Sequence, residues 1–119
     1  MTTIHMPLHT VSLTNSREHW RKRATRASKH RFAARTLCGG VCRSTGLPAI
    51  VTLTRIAPSA GLDDDNLPPA LKSVRDGIAD AFGVDDRDPR IKWQYAQERG
   101  KRYGVDVTIE EGVSGNVCA

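Results

Sequence analysis

The chain has 119 residues, 39% of them hydrophobic and 26% charged, with 18 lysines and arginines against 13 acids and a formal charge of +5. That length sustains one modest core rather than two, and the balance is that of a globular chain and not a disordered one. No run of 18 apolar residues exists to span a membrane, and the opening MTTIHMPLHTVSL lacks the basic-then-apolar pattern of a secretory leader.

Residues 1–8 are expected to be flexible, ahead of a single domain over residues 9–111. Residues 9–14, HTVSLT, alternate as a short strand. Asn15 stands where a helix cap belongs, with Glu18 three residues later, and Trp20, Ala24, Ala27, Ala34 and Leu37 recur at helical spacing. Gly39 and Gly40 are expected to end that helix. Its other faces are basic. Nine of the 18 basic residues (Arg17, Arg21, Lys22, Arg23, Arg26, Lys29, Arg31, Arg35 and Arg43) fall in this stretch beside one acid, Glu18. Such a patch is the electrostatic footprint of an anionic polymer, or else a solvated face.

Three cysteines, Cys38, Cys42 and Cys118, do not suit a secreted disulfide framework and point to a reducing cytoplasm. His30, Cys38 and Cys42 raise the question of zinc, but no fourth ligand is in sight, and free thiols are the better reading.

Residues 47–56, LPAIVTLTRI, read as a β-branched strand. The run GLDDDNLPP follows, then a helix to Gly83 with Asp65 or Asn66 as cap, Pro68 and Pro69 in the first turn, and Leu67, Leu71, Val74, Ile78, Ala81 and Phe82 on one stripe. Gly77 inside it costs about 1 kcal/mol relative to alanine and marks a close backbone contact. After the acidic turn VDDRDP, residues 90–99 and 103–110 alternate as two strands, expected to form a hairpin through ERGKRYG, with Lys101 and Arg102 at its tip. Residues 112–119 are expected to be a flexible tail. The fold class is α+β, a small mixed sheet with two main helices.

The acids are concentrated as the bases are. Eight of 13 lie between Asp63 and Asp88. In extended backbone Asp63 and Asp65 point to one side, which makes a poor packing choice but a good hard-cation site. The turn at Asp85 and Asp86 can add a third carboxylate. A helix cap accounts for one of these acids and not for three. A calcium loop counted from Asp63 would need glycine and glutamate where Pro68 and Val74 stand.

Taken together, Asp63-x-Asp65-Asn66-Leu67, the helix with Lys72 and Asp76-Gly77, the Asp85-Asp86 pair and the two C-terminal strands resemble the RusA-type Holliday junction resolvases over roughly residues 10–111. Thr14 and Asn15 loosely match that family's early Ser/Thr-x-Asn element. The resemblance implies a homodimeric endonuclease that cuts four-way DNA junctions with magnesium or manganese. By position, Asp63, Asp65 and Asp86 would hold the metal, with Asp85 as neighbour, and Lys72 would be the catalytic lysine. That lysine lies three residues further from the asparagine than in the family, with PPA read as an insertion. The DNA-binding set would be Asn15, Arg17, Arg21, Lys22, Arg23, Arg26, Lys29, Arg31, Lys101 and Arg102. A basic DNA-binding protein without nuclease activity is the alternative.

Overall fold

The computed structural model describes residues 1–10, 20–58, 61 and 66–112. Its elements run β1 (Thr2–Met6), α1 (Trp20–Thr45), β2 (Ala49–Ala57), α2 (Leu67–Ala70), α3 (Lys72–Phe82), β3 (Ile91–Arg99) and β4 (Gly104–Glu111). The strands form one mixed sheet in the order β1-β4-β2-β3. β2 and β3 are parallel, joined through α2 and α3, while β4 runs antiparallel to both β1 and β2. This is an α+β fold, a four-stranded mixed sheet with three helices.

The sheet has two different faces. Val51 and Leu53 of β2, Val105, Val107 and Ile109 of β4 and Met6 of β1 are buried together with Ala34, Cys38 and Cys42 of α1 and with Leu67, Leu71, Val74 and Ile78 of α2 and α3. The opposite face is polar. Thr3 bonds Thr108 at 3.0 Å, Thr52 bonds Gln94 at 3.1 Å, and the His5 ring meets the Asp106 carboxylate at 2.6 Å. Alternation with period two therefore divides each strand between core and polar face.

Three expectations are corrected. Residues 2–6 are not a flexible leader: they form β1, paired from Thr2 with Ile109 to Met6 with Val105. Helix α1 does not stop at Gly39 and Gly40 but continues to Thr45, and the glycine in the left-handed region beyond it is Gly46, at φ 70°. Two glycines cost a helix about 2 kcal/mol in all, yet Ala34, Cys38 and Cys42 form one buried line at four-residue spacing that continues across them. Packing outweighs propensity. Nor do β3 and β4 form a hairpin. β2 lies between them, because the most apolar strand is best covered by a neighbour on each side. The link of residues 100–103 crosses the end of β2, where the Gly100 N–H donates to the Ala57 carbonyl at 3.1 Å. A Cβ on Gly100 would meet Ile56 Cγ2 at 2.6 Å, so this crossing demands glycine. The expected strand at 9–14 falls largely outside the described residues, and His9 and Thr10 are not in a strand.

The helix expected after the aspartate run is present in two pieces, bent at the buried Leu71. Asn66 holds the cap position of α2 without a side-chain capping bond. Helices α1 and α3 pack closely, and Gly77 is the reason. A Cβ there would stand 2.3 Å from the Arg31 carbonyl oxygen and 2.7 Å from Ala34 Cβ. Arg31 of α1 clamps the same contact with a bidentate pair to Asp80 of α3, at 2.7 and 2.9 Å.

Candidate functional site

The site is built by the way α3 ends. Gly83 takes φ 79°, its N–H donates to Asp80, and the Val84 N–H reaches back to Ala79 at 3.1 Å. This glycine-dependent cap turns the chain back along α3. The loop that follows is tied by its own carboxylates: Asp85 accepts from the Arg87 N–H and Asp88 from the Arg90 N–H, each at 2.9 Å. The result carries Asp86 to the first turns of α3, beside residues ten or more positions earlier in the chain.

Asp86 meets two cations there. Its Oδ2 lies 2.7 Å from Lys72 Nζ and 3.0 Å from Arg75 Nε. Lys72 also donates to Asp76, one helical turn on, at 2.7 Å. Arg75 is held through both terminal nitrogens and across one face. Its Nη2 donates to the Asp86 carbonyl and its Nη1 to the Tyr95 hydroxyl, each at 3.0 Å, and its guanidinium lies 4.8 Å from the centre of the Trp93 ring. Trp93 Nε1 donates to the same Asp86 carbonyl at 2.9 Å. Backbone and side chain of Asp86 are thus held separately.

The electrostatics follow from these interactions. The hydrogen bond from Lys72 holds the Asp86 carboxyl below the ordinary carboxylate range, against the opposing effect of partial burial. Partial burial pulls the Lys72 ammonium down, but its bonds to Asp76 and Asp86 outweigh that and raise it. Both partners are charged at neutral pH. Pro68, Pro69, Lys72, Arg75, Asp86, Arg87 and Tyr95 line a groove of about 580 Å³. On the other side of Asp86, a smaller polar groove of about 310 Å³ is bordered by Arg31, Asp76, Asp80 and Asp85.

Of the expected metal ligands, the structure places Asp86 in the groove beside Lys72. Asp85 is adjacent, but its side chain is 67% exposed and turned to its own loop. Asp63 and Asp65 lie outside the described residues, as do Asn15 and Arg17. Among the described residues no three His, Cys, Asp or Glu side chains group closely enough to hold a metal ion. The residues on either side of 62–65 are described. A Cβ on Gly61 would touch the Gln97 side chain on β3 at 3.0 Å, and Pro68 and Pro69 form a wall of the larger groove. Asp86 presents its carboxylate to the groove, where the Lys72 ammonium now holds it. Carboxylate oxygen is the donor chemistry that a hard divalent cation takes.

The basic residues divide. Arg21, Lys22 and Lys29 are exposed on α1, Arg23 and Arg26 are half-buried there, and Lys101 and Arg102 are exposed in the β3–β4 link. Arg31 is committed to Asp80. His30, Cys38 and Cys42 are all buried. Burial pushes the Cys38 thiol up to about 11 and the Cys42 thiol up to about 12, so both are protonated core groups at neutral pH.

Sequence reasoning missed Arg75, and with it Trp93 and Tyr95. The two rings do pack against the core, but their polar edges serve Asp86 and Arg75. The one signal for Arg75 was the three-residue spacing of Lys72 and Arg75 on a helix whose apolar stripe lies elsewhere. A comparison with protein-family models finds no match to the chain, and neither does one with curated proteins.

Proposed function

We propose that the protein is a magnesium- or manganese-dependent endonuclease of branched DNA, of the RusA resolvase type, working in the cytoplasm as a homodimer. The observation that carries this reading is the meeting of Lys72 and Asp86, at 2.7 Å, in a groove walled by the prolines that follow the aspartate run. Asp65 is bonded to Asn66, and Asp63 stands three residues from it, within about 11 Å even for fully extended chain. Covalent reach alone therefore allows both carboxylates to approach the groove.

In this reading Asp63, Asp65 and Asp86 hold the cation, with Asp85 beside them. When bound, such a cation supplies Lewis-acid polarisation of a phosphate oxygen and a water of lowered pKa. Lys72 neutralises charge that develops on the reacting phosphate. Arg75, with Trp93 behind it, keeps the Asp86 carboxylate in one orientation. The exposed lysines and arginines of α1, with Lys101 and Arg102, neutralise backbone phosphates, so affinity should fall steeply with salt. A two-fold dimer would set one site against each of two strands of a four-way junction.

One observation favours a rival. Asp86 is already neutralised by Lys72 and Arg75, as a purely structural ion network in a non-catalytic DNA-binding protein would be. A labelled synthetic junction incubated with magnesium separates the two. Paired symmetric nicks that disappear in Asp86→Asn support the nuclease. Retained binding with no cutting in magnesium or manganese supports the binding protein.

A further inference from the structure

Asp86 has two cationic partners of opposite character. Arg75 is locked: its side chain is only 23% exposed, it lies against the Trp93 ring, and it bonds the Asp86 carbonyl and Tyr95. Lys72 is not. Its side chain is 52% exposed, and its ammonium is shared between Asp76 and Asp86 at equal distances of 2.7 Å. Loss of the Asp86 bond would leave it still paired with Asp76, on the same helix and one turn away.

Resting on the nuclease reading, we propose that Lys72 is an exchangeable internal counter-ion of Asp86, which a divalent cation displaces. The displaced ammonium then stays on Asp76 and faces the groove, where a phosphate would lie. The lysine thus has two stations. In the first it neutralises Asp86 and keeps the site charge-balanced. In the second it serves the substrate. Arg75 cannot make this exchange, because moving it would break bonds to Tyr95 and to the Asp86 backbone along with its stacking on Trp93.

The physical consequence has a definite sign. A monovalent cation bonded to Asp86 competes with an incoming divalent one, so removing it strengthens metal binding even as it removes a group needed for chemistry. Lysine and arginine differ as well. A flexible ammonium yields readily, whereas a guanidinium can hold a carboxylate by two parallel bonds.

The test is calorimetric titration of manganese into the full chain and into Lys72→Met, Lys72→Gln, Lys72→Arg and Asp86→Asn, at one pH and ionic strength and without DNA. Lys72 is half exposed, so these variants should keep the fold, which circular dichroism checks. Lys72→Met and Lys72→Gln are expected to bind manganese about tenfold or more tightly than the unaltered chain. Lys72→Arg is expected to bind it no more tightly, and Asp86→Asn to bind it weakly. Equal or weaker binding by both neutral variants, with Asp86-dependent binding in the unaltered chain, overturns the counter-ion role and leaves the metal site standing. Absence of Asp86-dependent binding in every protein overturns the metal site and this role together.

Discussion

Helices α1 and α3 lie against one another and handle charge in opposite ways. On α1, Arg21, Lys22 and Lys29 stand exposed on a helix without an acid in its first turn. On α3 and the turn it meets, charge is closed inward: Lys72 with Asp76 and Asp86, Arg75 with Asp86, and Asp80 with Arg31 reaching across from α1. An outward-facing array of cations suits a long anionic partner, whose many phosphates each need one cation. A compact set of paired charges fixes the position of a few atoms, which is what chemistry at one bond requires. In the nuclease we propose, the two helices divide holding from acting, and each half can be broken alone.

The sharpest break is Asp86→Asn. It should lower the rate of junction nicking in magnesium by about a thousandfold, the scale of losing a group that stabilises a reacting charge. Junction affinity, measured by anisotropy without metal, should change little. An equal fall in affinity would show that the two helices do not divide the work. Next in size is Gly77→Ala, which strikes the packing that joins them. The new methyl group would be forced onto the Arg31 carbonyl, so α1 and α3 must separate. We expect a loss of about 2–3 kcal/mol by urea denaturation, typical of overpacking, together with a fall in both binding and nicking.

How much of this was legible from residues depends on whether the governing interaction is local. Gly77 could be read as a close contact because a glycine within an amphipathic stripe has few other reasons to be there. Gly83 could be read because one left-handed residue ends one helix. β2, β3, β4 and the α+β class followed from alternation. The continuation of α1 past Gly39 and Gly40 could not be read, since it depends on Cys38 and Cys42 being buried by elements that lie elsewhere in the chain. The separation of β3 from β4 was hidden for the same reason: a short basic link looks like a hairpin turn until β2 is known to occupy the middle of the sheet. At the site, Asp86 and Lys72 were chosen by residue type and by likeness. Arg75 escaped because its role arises only where Trp93, Tyr95 and the Asp86 carbonyl converge.

A smaller effect isolates the holding half. Replacing Lys22 and Lys29 together by alanine should weaken junction binding by a similar factor across DNA sequences. It should also reduce the slope of log affinity against log salt by about 2, close to one unit for each phosphate no longer neutralised. The nicking rate of saturated protein should stay the same. An unchanged salt slope would mean that DNA does not lie along this face of α1.

The smallest effect is read with pH and separates the paired charges from the core. Asp86 and Asp80 have folded pKa values below the ordinary 3.8, from the bonds of Lys72 and Arg31. For carboxylates lowered by folding, the stabilisation is fully present above the unfolded value and disappears as pH falls through the folded one. Lys72 works in the other direction: its raised value gives a stabilisation present below 10.5 and lost as pH climbs through the folded value. His30 adds an earlier step on the acid side. Burial, with Arg26 and His9 nearby, holds it below 6.5, so the unfolded chain takes up its proton first and stability begins to fall under that pH. Thermal melts from pH 3 to 11 should thus show a plateau between roughly 7 and 10, a shallow decline below it and a steeper one under pH 4. His30→Gln should remove the shallow decline alone. Asp86→Asn should soften the steeper acid loss and also flatten the alkaline edge, because Lys72 would then keep only Asp76. If Asp86→Asn left both edges unaltered, the bond between Lys72 and Asp86 would carry no weight in the folded protein, and α3 would be as outward in its charge as α1.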